Sequence, residues 1–90
     1  MRSMLQVQSF SRLFAVHKFK EIDFLSIDVE GNELAVLRSI DFRSTFIRVI
    51  VTETTSKEVS DLLKGNGFRD LGVTFLLGDH VFVNKGHRHR

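Results

Sequence analysis

The sequence predicts an α/β fold in which parallel strands joined by crossover helices are followed by a terminal antiparallel hairpin. Three observations carry this. Residues 22–29 (IDFLSIDV) and 47–53 (IRVIVTE) are apolar on both faces, as strands covered from both sides require. Segments of helical period follow each of them. The last third of the chain then changes to period two, with a Gly-Asp pair between alternating runs.

The 90 residues allow one domain, read as a lead-in strand and helix (1–20), a strand–helix–strand–helix–hairpin unit (21–85) and a basic tail (86–90). Hydrophobic residues at 42% and charged residues at 27% place the chain among globular proteins, not disordered ones. Such a short chain buries only about 60–65% of its unfolded surface, so the expected core is modest. A net charge of +2, from 13 basic and 11 acidic residues, argues against a nucleic-acid partner. No apolar run approaches transmembrane length, so no membrane partner is expected. With no cysteine there is neither a disulfide nor a thiolate metal site, and no metal site is assigned. The first twenty residues carry Arg2, Arg12, Lys18 and Lys20 with no acid. They read either as an ordinary amphipathic helix of a cytoplasmic protein, which is the expectation, or as a mitochondrial targeting segment.

Each element has its own reason. Residues 4–8 alternate as a short strand. Ser9 or Ser11 caps a helix to about residue 19 that places Phe10, Leu13, Phe14 and His17 on one face, His17 as a boundary residue. Residues 32–40 form a helix with Leu34, Leu37 and Ile40 on one side and Val36 beside them. Thr55 and Glu58 form a capping box for a helix burying Val59, Leu62 and Leu63. That helix stops at GNG, where Gly65 is expected to take the left-handed conformation. Leu71, Val73, Phe75 and Leu77 alternate, Gly78-Asp79 reads as a two-residue type II′ turn, and residues 81–83 resume the ladder. The tail histidines His87 and His89 are assigned no function.

Ligands of open α/β sheets bind at the carboxyl ends of the parallel strands. Asp28 and Glu30 end the first main strand and Glu53 ends the second, so three carboxylates converge on one rim if the strands are neighbours. Gly31 lets the backbone turn sharply there. Two readings stand side by side: the acids cap the helix and accept nearby N–H groups, or they form a site. Glu33, in the first turn of the next helix, is expected to serve the helix dipole.

The block IDFLSIDVEGNELAVLRSIDF resembles the FkbM family of S-adenosylmethionine-dependent methyltransferases. In that family a strand ends in Asp-Val-Glu-Gly, then any residue, then Glu, before a Leu-rich helix; Asp28, Val29, Glu30, Gly31 and Glu33 match. Glu53 resembles the acid at the end of the family's next strand, DHVFVNK its closing strand and LQVQSFSRLF its lead-in. Three positions depart from it: Ser26 where members usually carry Lys, RSI where a Gly commonly follows the helix, and Ser11 where the lead-in has Asp.

The resemblance implies a three-layer Rossmann-like methyltransferase fold, of which this chain is the carboxyl-terminal half. It implies an O-methyltransferase acting on a hydroxyl-bearing small molecule or glycan, with Asp28, Glu30 and Glu53 as catalytic residues. S-adenosylmethionine is the cofactor implied for a complete form. The family's Gly-rich turn after strand one and ribose-binding acid after strand two have no counterpart here, so no cofactor-binding residue is assigned and tight binding by this chain alone is not expected. The alternative is a non-enzymatic truncated or partner-binding module; a magnesium site for phosphoryl chemistry ranks last, for want of a phosphate-cradling loop. Loss of the neighbouring strand would expose the edge of residues 22–29, so the chain is expected either to self-associate through that edge or to cover it with residues 4–8.

Overall fold

The computed structural model describes residues 4–8, 16, 18–29, 31–53, 56–73 and 79–86. In chain order the elements are β1 (Met4–Val7), β2 (Glu21–Ile27), α1 (Glu33–Arg38), β3 (Phe46–Thr52), α2 (Lys57–Gly65), β4 (Phe68–Val73) and β5 (His80–Asn84). They form one five-stranded sheet in the order β1-β2-β3-β5-β4. β1, β2 and β3 are mutually parallel, and β5 runs antiparallel to both β3 and β4.

β2 and β3 form the centre because both can bury side chains on either side, as their β-branched and apolar residues allow. They pair through Ile22↔Ile47, Phe24↔Val49, Leu25↔Ile50 and Ile27↔Thr52. Period-two alternation then sorts the sheet into two faces. One carries Val7, Leu25, Ile27, Ile50, Phe82 and Phe68, all buried. α2 packs on this face: it contacts β4, and the Ser60 hydroxyl donates to Asp70 of that strand at 2.9 Å. α1 packs beside α2. Val36 and Leu37 from α1, and Val59 and Leu63 from α2, complete the core. Each such side chain contributes about 1.5–3 kcal/mol by leaving water. Among the described residues both helices lie on this face, so the third layer expected from the sequence is not among them.

The free edge of β2 is covered from within the chain. β1 pairs along it in parallel, Met4 with Phe24 through Val7 with Ile27. The helix expected over residues 9–19 lies mostly outside the described residues; Val16 is fully buried in the core, and His17 is not described.

Three local expectations are corrected. α2 is capped by Ser56, whose hydroxyl accepts from the Val59 N–H at 3.2 Å, and Thr55 lies outside the described residues. The cap falls one residue later than the capping box because Ser56 holds the extended φ/ψ of an N-cap. At the other end Gly67, at φ +91, takes the left-handed conformation. Gly65 is the last helical residue and Asn66 follows at φ −103, its side chain donating to the Leu62 carbonyl at 2.8 Å. Finally, Val73 pairs with His80, which leaves six residues between the paired positions and rules out a two-residue closure at Gly78-Asp79. The register shift between Asp70 and Gly72 is a bulge, an irregularity that period-two counting cannot see. Phe75, Leu77 and Gly78, with the tail residues His87 and His89, lie outside the described residues.

Candidate functional site

The carboxyl ends of β2 and β3 bring two of the three expected acids to one place. Ile27 pairs with Thr52, so Asp28 and Glu53 are the residues immediately beyond a matched pair of neighbouring strands. The Asp28 N–H donates to the Val7 carbonyl at 2.9 Å, holding this position against β1 as well. Asp28 is half-buried and Glu53 exposed. Glu30 lies outside the described residues, so its place on the rim is not described.

The turn out of β2 is built by its backbone. The Asn32 N–H donates to the Val29 carbonyl at 2.7 Å, and Gly31 sits at φ +75 within that turn. A side chain would strain this conformation, and the space a Cβ would occupy at Gly31 holds no atom within 4 Å. The glycine is thus demanded by the turn and leaves the backbone open to approach. Asn32 occupies the cap position of α1 without a side-chain capping bond. Glu33 follows in the first turn, where the helix dipole favours a negative charge. It is only 6% exposed, a depth that its helix position did not suggest.

Sequence reasoning missed a second polar cluster at this end of the sheet. Asp70 of β4 accepts from the Ser60 hydroxyl at 2.9 Å and from the Gly72 N–H at 2.8 Å, and is hydrogen-bonded to His80 Nε2. The His80 ring stacks on Phe82 at 4.8 Å between centroids. Burial pushes the Asp70 carboxyl up, but the bonds from Gly72, Ser60 and His80 outweigh it and hold the group below the usual aspartate range. His80 pairs across β5 and β3 with Thr52, which is fully buried. Thr52 Oγ1 has no hydrogen-bond partner among the described residues. No spacing rule joins residues 60, 70 and 80; the register of β4 on β5 brings Asp70 to His80, and the packing of α2 on β4 adds Ser60.

Asp23 is not a rim residue. It lies at the other end of β2 and pairs with Arg48 at 3.6 Å. An open groove of about 600 Å³ also lies at that end, lined by Lys20, Glu21, Phe42, Phe46 and Asn84, and contains none of the candidate acids. Among the described residues no three His, Asp or Glu side chains gather as a metal site. No described helix is long and apolar enough to cross a membrane.

The rim can accept a proton at the Asp28 carboxylate and present a second carboxylate, Glu53, beside it. The lane beside β2 is filled by β1.

Residues 4–69 match the family model described as Methyltransferase FkbM domain. No curated protein and no solved structure matches the chain significantly.

Proposed function

The chain belongs to the methyltransferase FkbM domain family, and we propose that it supplies the substrate-side, carboxyl-terminal part of a three-layer Rossmann-like methyltransferase. The observation that carries this reading is the Asp-Val-Glu-Gly-x-Glu block at the end of β2, with Glu53 placed beside Asp28 by the Ile27↔Thr52 pair. In this reading Asp28 takes the proton from a substrate hydroxyl, and Glu53 and Glu30 orient that hydroxyl by accepting from its neighbours. A hydroxyl-bearing small molecule or glycan suits such a rim, because carboxylates accept hydrogen bonds from several hydroxyl groups at once. S-adenosylmethionine, when bound in a complete form, supplies an electrophilic sulfonium methyl group. No step is assigned to these residues through the cofactor, and the chain alone is proposed to be inactive because the family's Gly-rich turn and ribose-binding acid have no counterpart in its sequence. Ser26 shares a sheet face with Asp28, two residues before it, so the Lys that members of the family usually carry there has no counterpart on this rim.

A chimera tests the reading. The cofactor-binding half of an active FkbM-family enzyme is fused ahead of Met1, and methyl transfer to hydroxyl-bearing acceptors is measured. The chimera is expected to turn over, and Asp28→Asn to lower turnover by about 10²–10⁴-fold, the usual contribution of a general base. A folded, active chimera indifferent to Asp28→Asn would move this residue to a structural role.

One observation favours the partner-binding alternative. Among the described residues, the sheet face opposite the helices is only partly covered, as a surface that receives another protein would be.

A further inference from the structure

The Asp70 cluster holds more than a clasp needs. The Ser60 hydroxyl bonds to Oδ2 of this carboxylate, and the Gly72 N–H and His80 Nε2 bond to Oδ1. A carboxylate only accepts, so Nε2 is the ring nitrogen of His80 that carries a proton. In the neutral ring Nδ1 is then a bare acceptor. Among the described residues the hydrogen bond of His80 is to Asp70, through Nε2, which leaves Nδ1 over. The ring also stacks on Phe82 at 4.8 Å, and its side chain keeps only 14% of its surface exposed. An imidazole fixed in one tautomer and one orientation by a carboxylate is a directed acceptor.

A second polar atom beside it is left over. Thr52 pairs with His80 across β3 and β5, so the two side chains are neighbours on one face. Thr52 is fully buried, and its Oγ1 has no hydrogen-bond partner among the described residues. Folded proteins seldom keep a buried hydroxyl idle, and each exception calls for an explanation. The Ser60–Asp70–His80 bonds tie α2, β4 and β5 together without using either Nδ1 or Thr52 Oγ1.

His80 stands at the carboxyl rim. It opens β5 opposite Thr52, the last residue of β3, and Glu53 follows Thr52. Thr52 also pairs with Ile27, the residue before Asp28. Asp28, Glu53 and His80 therefore stand at the ends of three adjacent lanes, where open α/β sheets take their ligands. Alternation gives Asp28 and Glu53 to one face and His80 to the other, so a ligand reaching all three lies across the top of the sheet. From β2 to β5 is two lanes, about 9–10 Å. That is wider than one sugar ring and suits hydroxyl groups carried on two.

We propose that His80 is a substrate-contacting residue of this rim, positioned by Asp70, and that its Nδ1 accepts a hydrogen bond from a hydroxyl on the sugar ring next to the one whose hydroxyl meets Asp28. The acceptor class is thereby a glycan of at least two rings, not a simple alcohol. The proposal rests on the substrate-side reading of the rim, and its test separates the two.

The isotope-labelled 90-residue chain is titrated at about pH 8, where an ordinary histidine is neutral, with maltotriose, cellotriose and mannotriose, and with propanol as the single-hydroxyl control. NMR of the ring nitrogens reads the result, with His80 identified by the signals lost in His80→Gln. Nε2 should be protonated and Nδ1 bare, and the Nδ1 signal should move saturably with at least one trisaccharide and not with propanol. Asp70→Asn should mix the tautomers and remove the response while the backbone spectrum remains that of a folded chain. A ring protonated at Nδ1, or an Nδ1 signal that none of the trisaccharides moves, would overturn the inference. Both readouts use the unaltered chain and do not depend on a variant folding. In the chimera, His80→Gln should raise the KM for that trisaccharide about tenfold, the loss of one hydrogen bond to the substrate, with a smaller change in kcat. A chimera that needs Asp28 yet is indifferent to His80→Gln sinks this inference and leaves the methyltransferase reading standing. An inactive chimera whose sugar still moves Nδ1 sinks that reading and leaves the glycan contact standing.

Discussion

Asp28 and Glu53 stand side by side because Ile27 and Thr52 do. The two acids lie 25 positions apart in the chain, and only the register of two parallel strands makes them neighbours. The sequence showed that both strands are apolar on either side and that each ends in an acid, but it left open whether they are neighbours; the register settles that. Asp70 shows the opposite case. It is one of many exposed-looking polar residues in the sequence, yet it holds Ser60, Gly72 and His80 together. Its role depends on a bulge, and a bulge leaves no period to count. Its depressed carboxyl carries a prediction with a definite sign. A group whose folded value lies below its unfolded one stabilises above the unfolded value, and that stability is lost as pH falls through the folded value. Urea midpoints followed from about pH 6 down to about pH 2, across the usual aspartate range, should fall more for the unaltered chain than for Asp70→Asn. At neutral pH the variant should be less stable by about 2 kcal/mol, because a charged acceptor has been lost to three donors. Parallel curves would mean that the cluster is not coupled to folding.

At the scale of elements, β2, β3 and the two helices were readable from pattern, and their ends were not. α1 is shorter than its apolar spacing suggests, since the Ser39 and Ile40 N–H groups bond three residues back, to Val36 and Leu37, and tighten the last turn. Asp41 then closes the following turn by accepting from the Arg43 N–H at 3.0 Å and the Ser44 hydroxyl at 2.8 Å. α2 was placed correctly but capped by the wrong residue, because Thr55 and Ser56 are chemically equivalent candidates and the choice is made by backbone angles. Ser56→Ala should therefore cost about 1 kcal/mol in thermal or urea unfolding, the usual value of an N-cap hydroxyl. A neutral Ser56→Ala would return the cap to Thr55. β1 was readable as a short strand over residues 4–8 and as one of two ways of covering the edge of residues 22–29; in the sheet its four residues take that lane along β2. The decisive interaction is long-range: the Asp28 N–H bonding to the Val7 carbonyl at 2.9 Å.

For the whole molecule, one five-stranded sheet with its described helices on one face explains both what the chain offers and what it lacks. The carboxyl rim presents Asp28 and Glu53, the acids proposed to meet a hydroxyl-bearing substrate, and the opposite face leaves valines and Phe24 half-buried. The third layer expected from the sequence is not among the described residues, and the lane beside β2 is occupied by β1. The chain belongs to the FkbM methyltransferase domain family, and the central proposal is that it carries the substrate-side rim without its own means of holding the cofactor. Calorimetric titration of the 90-residue chain with S-adenosylmethionine tests it most directly. The account predicts no saturable heat in the micromolar range. A one-site isotherm with a micromolar Kd, about −8 kcal/mol, would contradict it and require a cofactor site within these 90 residues.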